Sequence, residues 1–155
     1  MKKIATVLCI IKEGKILLGM KKRGFGKGKW NGFGGKVEKG EDIENAATRE
    51  TQEECCSVPK NVEKFGVLDF EFFFNKEWNQ QVHFFKATDY ESEPKETDEM
   101  KPSWFSFDEI PYDSMWPDDK YWLPLMLKGK KFKGRIVFGK NNSILKNRIK
   151  EAHNF

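Results

Sequence analysis

Glu41-Asp-Ile-Glu-Asn-Ala-Ala-Thr-Arg-Glu-Thr-Gln-Glu-Glu54 decides how the rest of this 155-residue chain is read. Ile43, Ala46, Ala47, Glu50, Glu53 and Glu54 recur at offsets of 3, 4, 7, 10 and 11, which places them on one face of a helix over about 42–55. The apolar stripe of that face ends in three carboxylates instead of leucines. Side chains three and four apart sit roughly 5–6 Å from each other, where like charges repel. Burying them is costly unless cations neutralise them. Converging hard oxygen donors suit Mg²⁺, which prefers carboxylates, water and substrate phosphates. A solvent-facing acidic helix end would explain the same residues without a ligand. Acids sit poorly at the negative end of the helix dipole, however, and that placement favours the metal site.

Working outward, residues 4–11 and 15–20 are β-rich runs joined at Lys12-Glu-Gly14, a hairpin signal. Residues 21–40 form a glycine-rich loop containing Gly24, Gly26, Gly28, Gly32, Gly34 and Gly35. Such a loop takes unusual backbone conformations or approaches a ligand closely. Pro59 marks a point beyond the end of the acidic helix. Residues 65–74 and 81–87 read as strands around a polar Asn75–Gln80 turn, and Trp104–Phe107 as another strand. Pro111 and Pro117 bracket a loop, after which Asp118 or Asp119 caps a helix over about 120–128. A strand is expected at 134–139. In the tail, Ile144, Leu145, Arg148, Ile149 and Ala152 have helical spacing, yet a short closing strand also fits. The pattern predicts an α/β fold, with helices packed on a mixed sheet in a single domain over 1–155.

Composition narrows the function classes. With 38% hydrophobic and 34% charged residues, the chain reads as globular, neither disordered nor membrane-embedded. The initial apolar run stops at Lys12 without a small-residue cleavage site, and no segment approaches the ~18 apolar residues of a spanning helix. The net charge of +4 is compatible with anionic ligands. The basic run Lys128-Gly-Lys-Lys-Phe-Lys133 reads as a solvated turn, so no nucleic-acid polymer is expected as a partner. Three cysteines, Cys9, Cys55 and Cys56, form neither a disulfide framework nor a metal-ligand spacing. They suggest a reducing, cytoplasmic setting, with nuclear or mitochondrial sharing left open. Fourteen Phe and five Trp exceed what the core requires, so some are expected to line a pocket for a flat ligand. No exposed apolar stripe is evident, and a monomer is expected.

Gly35, five residues, Glu41, seven residues, then Arg49-Glu50-Thr-Gln-Glu53-Glu54 resembles the Nudix box, with every chemically active position filled. The departures are Thr51 and Ser57, where that family prefers aliphatic residues, and Cys56, where it has glycine. Thr51 is expected to weaken packing behind the helix, and Cys56 to take a left-handed conformation that glycine would adopt with little strain. The resemblance implies that Glu50, Glu53 and Glu54 hold Mg²⁺ with the Gly34 carbonyl nearby, that Arg49 orients the carboxylates, and that Glu41 ties the loop to the helix. It implies metal-assisted attack of water on a phosphate chain, with Glu53, Glu54 or Glu99 as alternative proton acceptors.

The substrate is read from other segments. Lys21, Lys22, Arg23, Lys27, Lys29 and Lys36 put positive charge beside the acidic helix, although Lys27 and Lys29 are explained by solubility alone. Asn31, between Trp30 and Phe33, offers donors and an acceptor suited to a purine edge, and equally to a glycine turn. In Trp116-Pro-Asp118-Asp119-Lys-Tyr-Trp122, the tryptophan supplies a stacking face and the two acids supply hydrogen bonds to a base. In an apolar pocket one of these carboxyls stays protonated. Helix capping by Asp118, with Trp122 in the core, is the plainer explanation.

Together with Leu17-Leu-Gly-Met-Lys-Lys-Arg-Gly-Phe-Gly26, Asp98-Glu-Met100 and Met115, these segments resemble the MutT-homologue branch of the Nudix family that acts on oxidised purine nucleoside triphosphates. That resemblance implies an α/β/α sandwich with residues 143–150 returning as a strand. It implies base recognition by Asn31, Asp118 and Asp119, and walls formed by Phe25, Phe70, Phe72 and Trp116. Thr6 and Lys21 would touch the nucleotide, with Phe33, Gly34, Gly35, Lys36 and Pro117 beside them, and Glu99 would add a metal-side carboxylate. The implied reaction takes 8-oxo-dGTP or 2-hydroxy-dATP to the monophosphate and pyrophosphate. A Nudix enzyme for a dinucleoside polyphosphate, a methylated purine nucleotide or an undamaged dNTP is the main alternative. A non-catalytic nucleotide-binding module has less need of three clustered acids.

Overall fold

In the computed structural model, which describes residues 3–155, β1 (Lys3–Lys12) turns at Glu13-Gly14 into β2 (Lys15–Lys21). Both turn residues have positive φ, 54° and 75°, the conformation that matches the twist of a tight hairpin. The pairing is brief: β1 and β2 are in register only from Ile10↔Leu17 to Lys12↔Lys15. Beyond it, β6 (Met100–Ser106) runs along the whole of β2, and the short β3 (Trp30–Asn31) pairs with Gly19 and Met20. β1 instead continues parallel to β5 (Gln80–Glu91), from Lys3↔Gln80 to Ile10↔Ala87. The sheet then extends through antiparallel β4 (Val58–Phe72) and parallel β7 (Phe132–Phe138) to β8 (Ile144–Asn147) and β9 (Lys150–Glu151).

Strand periodicity assigns the two faces. Leu8, Ile10 and Leu17 pack with Ala47 and Cys55 of α1 (Ile43–Cys55). Their alternates Cys9, Ile11, Ile16 and Leu18 pack with Trp122, Leu123 and Met126 of α2 (Asp119–Leu127). Because successive strand residues point to opposite faces, one sheet sits between two helices in an α/β/α sandwich, as expected. Among the described residues no helix is long and apolar enough to cross a membrane.

The acidic helix begins close to its expected start, at Ile43. Asp42 accepts a hydrogen bond from Asn45 N at 3.1 Å, and Cys56 closes the helix in the left-handed region at φ 65°. Its buried face is rotated from the expected stripe. Thr51 and Cys55 are fully buried, whereas the Glu53 side chain is 58% exposed. Burial of Thr51 leaves no polar atom wanting, because its hydroxyl donates to Ala47 O at 2.8 Å.

Several strand limits also differ. β4 starts at Val58 and includes Pro59, which pairs opposite Tyr90. At that end β4 has only β5 beside it, since β7 joins from Gly66, so the missing N–H falls where one edge is unpaired. β4 stops at Phe72, which leaves Phe73 and Phe74 exposed in the turn. β6 begins at Met100, well before Trp104. Of the tail residues with helical spacing, Ile144 and Leu145 fall in β8, Arg148 and Ile149 in the break before β9 and Ala152 just beyond it, because β7 offers an open edge for pairing.

Gly66 marks a β-bulge in β4, and a Cβ there would enter the ring of buried Phe132. Gly66→Ala is expected to destabilise the fold by about 1–3 kcal/mol through overpacking, measured as a lower urea midpoint.

Candidate active site

Where β2 leaves β1, the segment Gly32–Val37 closes against the vacated edge. Leu8 and Phe33 exchange backbone hydrogen bonds at 2.5 and 2.8 Å, Thr6 N donates to Gly35 O at 2.9 Å, and Val37 N to Ile4 O at 2.9 Å. This approach requires glycine for space. A Cβ at Gly34 would strike the Thr6 carbonyl, and one at Gly32 would lie 2.8 Å from Val7 Cγ1. At Gly35 it would lie 2.7 Å from the Glu50 carboxyl carbon, so that glycine makes room for the helix's acid.

The loop and α1 meet through Gly34 N, which donates to Glu54 Oε1 at 2.9 Å. Arg49 organises the other acids. Its Nε and Nη2 grip the two oxygens of Glu41 at 2.7 and 3.0 Å, while Nη1 donates to Glu50 at 3.1 Å and Glu53 at 3.3 Å. Glu41 in turn accepts from Glu38 N at 3.1 Å, linking loop to helix. Planar guanidinium geometry allows this fork where an ammonium would not.

Burial pushes the Glu54 carboxyl up to about 8; Glu50 and Glu99 add to the rise, while the Gly34 N–H and Lys21 oppose it. Burial also raises Glu50, against the pull of Arg49. Among the described residues no three such side chains converge tightly enough to hold an ion as they stand. Glu53 is turned toward Arg49, and Glu99, 54% exposed, pairs with Arg23 at 3.9 Å. Of the expected ligands, Glu50, Glu54 and Glu99 interact electrostatically, and Gly34 touches Glu54 through its N–H.

From Glu54 a cavity of about 210 Å³ runs across the α2 face of the sheet. Thr6, Lys21, Gly34 and Gly35 line it together with Glu54. Phe25, Phe70, Phe72 and Trp116 supply aromatic walls, and Asn31, Asp118 and Asp119 bring polar groups. The Asn31 amide gives one N–H to Lys29 O at 3.0 Å and is otherwise unpaired among the described residues.

Asp118 stands at the N-cap position of α2 but does not cap it. Both acids instead accept from Trp122 Nε1, at 2.9 Å for Asp118 and 3.2 Å for Asp119. Burial pushes Asp118 up to about 6 and Asp119 well above the ordinary carboxylate range, the latter reinforced by Asp118. Burial and the closeness of the two carboxyls therefore favour keeping a proton on the pair above the ordinary carboxylate range.

Three expected contacts lie elsewhere. Phe33 is fully buried in the core beneath α1, because its backbone bridge to Leu8 turns the side chain inward. Lys36 lends only its carbonyl to Arg49, at 3.4 Å, and Pro117 is not on the cavity wall. Gln80, Met100, Trp122 and Phe138 line it unforeseen. The signal for Gln80 was its cross-strand register with Phe70, and for Phe138 its register with Phe72.

This chain belongs to the Nudix family: the NUDIX domain model matches residues 1–126. It is a Nudix hydrolase, an enzyme of the pyrophosphohydrolase type, and such hydrolases generally need divalent metal ions. It is 48% identical over 150 residues to the oxidized purine nucleoside triphosphate hydrolase of Danio rerio, covering 97% of this chain and 96% of that one. To the Mus musculus protein of the same name it is 44% identical over 153 residues, covering 99% and 97%. Among solved structures, the MutT protein from Bacillus halodurans superposes with a TM-score of 0.85 at 28% identity, covering 95% and 97%.

The raised acids Asp118 and Asp119 have a consequence for stability. The native state binds more protons than the unfolded chain above the ordinary Asp value of 3.8. Their contribution is therefore complete below 3.8 and is lost as pH rises through about 6 and beyond. Asp119→Asn should make the metal-free protein's melting temperature fall less between pH 5 and pH 8, raising it by about 3 °C or more at the upper end.

Proposed function

We propose that this enzyme hydrolyses oxidised purine nucleoside triphosphates, 8-oxo-dGTP and 2-hydroxy-dATP among them, to the monophosphate and pyrophosphate, so clearing damaged bases from the nucleotide pool. The observation that carries this reading is the adjoining Asp118/Asp119 pair, both acids buried in an aromatic cleft that leads to the acidic helix, where burial favours a retained proton. An ionised carboxyl only accepts hydrogen bonds, whereas a protonated one donates. A pair sharing one proton meets a purine edge presenting either a carbonyl or an amine. Asn31 adds a primary amide to the same cavity. The names of the Danio rerio and Mus musculus relatives support the same substrate class.

Mg²⁺ is the cation we assign. Glu50 and Glu54 are raised by burial and by neighbouring negative charge, the imbalance a divalent cation relieves. Glu50, Glu53, Glu54 and Glu99 would hold it with the Gly34 carbonyl, and when bound it polarises phosphate oxygens and acidifies the attacking water. Arg49 keeps Glu50 and Glu53 oriented. Lys21 sets positive charge beside Glu54, where the phosphates would lie. A carboxylate of Glu53, Glu54 or Glu99 takes the proton from water. We take residues 1–155 as one domain that acts as a cytosolic monomer on free nucleotides.

Pyrophosphate release from a panel of normal and modified nucleotides tests the reading. A kcat/KM for 8-oxo-dGTP well above that for dGTP is expected, and equal values would refute the sanitising role while sparing the fold. Glu54→Gln should lower kcat by at least ~100-fold, and near-normal Mg²⁺-dependent turnover would remove Glu54 from the chemistry. Asn31→Ala and Asp118→Ala should each reduce the 8-oxo-dGTP preference more than they reduce hydrolysis of dGTP, compared as ratios of kcat/KM.

A further inference from the structure

Phe25 is a cavity wall with little of its own to hold it. It is 53% exposed and flanked by Gly24 and Gly26, whose φ values of 78° and 82° give the loop backbone wide freedom. The loop's hydrogen bonds, Lys27 N to Gly24 O at 3.1 Å and Lys29 N to Gly26 O at 3.0 Å, arch over Phe25 without fixing its ring. Two aromatic contacts do so. The Phe25 ring centroid lies 5.1 Å from that of Trp116 and 5.0 Å from that of Trp78, the latter edge-on at 61°.

Trp78 comes from a different segment, the turn between β4 and β5, which is held by several hydrogen bonds. It ends the single 3-10 turn Lys76–Trp78 between β4 and β5. Asn75 Oδ1 accepts from Glu77 N at 3.2 Å, Trp78 N donates to Asn75 O at 3.0 Å, and Asn79 Oδ1 accepts from Phe72 N at 2.7 Å. The second edge of Trp78 meets Phe72, with centroids 5.6 Å apart at 85°. Phe72 is itself stacked on Phe138 at 4.8 Å and 14°, so it does not depend on Trp78 for its place. The neighbouring Phe73 and Phe74 behave differently: among the described residues their only ring contact is with each other.

A continuous aromatic chain thus runs Trp116, Phe25, Trp78, Phe72, Phe138 around the mouth. Four of its members line the cavity, and Trp78 does not. We propose that Trp78 is a latch, a positioning residue that fixes Phe25 against Trp116 and so sets how firmly the cleft grips a flat base. The kinetic form of this proposal rests on the substrate reading above; the structural form does not.

Both forms are tested with the full chain. In ligand-free protein labelled with 5-fluorotryptophan, the Trp116 resonance, identified by its loss in Trp116→Phe, should move in Trp78→Leu as it moves in Phe25→Ala. It should stay near its wild-type position in Trp78→Phe, which preserves an edge contact. An unmoved resonance in Trp78→Leu overturns the latch whatever nucleotide is cleaved. In kinetics, Trp78→Leu should raise KM for 8-oxo-dGTP roughly threefold to tenfold with kcat within about twofold. In the Phe25→Ala background, Trp78→Leu should add nothing further to KM. Additive losses, or a kcat that falls as far as kcat/KM, would also overturn it. If the wild type cleaves no oxidised purine triphosphate, the substrate reading fails, and the fluorine result still decides the latch.

Discussion

Both ends of the cleft hang from the backbone contact between Gly32–Val37 and the free edge of β1. A strand separating from its hairpin partner leaves unpaired N–H and C=O groups that must find partners. Here they are met by a loop close enough that a side chain at Gly34 would collide with Thr6. The same approach aims Gly34 N–H at Glu54 and leaves Glu50 the space beside Gly35. It also delivers Asn31, on β3, to the cavity, because β3 pairs with the part of β2 that β1 has left. The parting of β1 and β2 therefore creates the cavity and supplies polar groups to it at once.

The two groups of acids on this cavity are neutralised in different ways. Glu50 and Glu53 share Arg49, so their ionised oxygens have donors in place, while Glu54, pushed up to about 8 by burial, has one backbone N–H. Their remaining imbalance is electrostatic and belongs to a region that Lys21 also influences. Asp118 and Asp119 have one indole N–H between them, with Lys29 as a distant opposing charge. With so little compensation, retaining a proton costs less than ionising both carboxyls. The acidic helix thus suits a cation, whereas the aspartate pair suits a neutral ligand that exchanges hydrogen bonds.

Much of this was legible in the sequence because it lies on short periodic segments. The helix and the first hairpin follow from local spacing and turn chemistry, whereas the left-handed Cys56 end and the sandwich were implied by the resemblance to the Nudix family. Glu53 was harder: helical periodicity defines a broad face, and Arg49 decides which acids turn inward. Phe33 misled because its neighbours Asn31 and Gly34 line the cavity, yet its bridge to Leu8 points it at α1. Gln80 and Phe138 were invisible for the opposite reason. Gln80 was assigned to the turn, although it opens β5 opposite Phe70, and Phe138 reaches the cavity only through its register with Phe72 on a strand distant in sequence. The tail carried a helical pattern that the open edge of β7 overrode.

The departures from the Nudix box show which of its positions chemistry constrains. Thr51 replaces an aliphatic side chain in a fully buried site, and Ser57 does likewise, yet both hydroxyls have backbone carbonyls within reach, Ala47 O at 2.8 Å and Glu91 O at 3.3 Å. Cys56, though exposed, accepts the left-handed conformation that ends the helix, a strain of about 1–2 kcal/mol, with its N–H bonded to Gln52 O. Each substitution changes stability by an amount that local structure can offset. No comparable remedy exists at Gly34 or Gly35, where a side chain would meet backbone or the Glu50 carboxylate itself. Nor does one exist at Arg49, whose single plane serves three acids. The imperfect positions are therefore those that only pack, and the intact ones are those whose geometry brings the loop and the acids together.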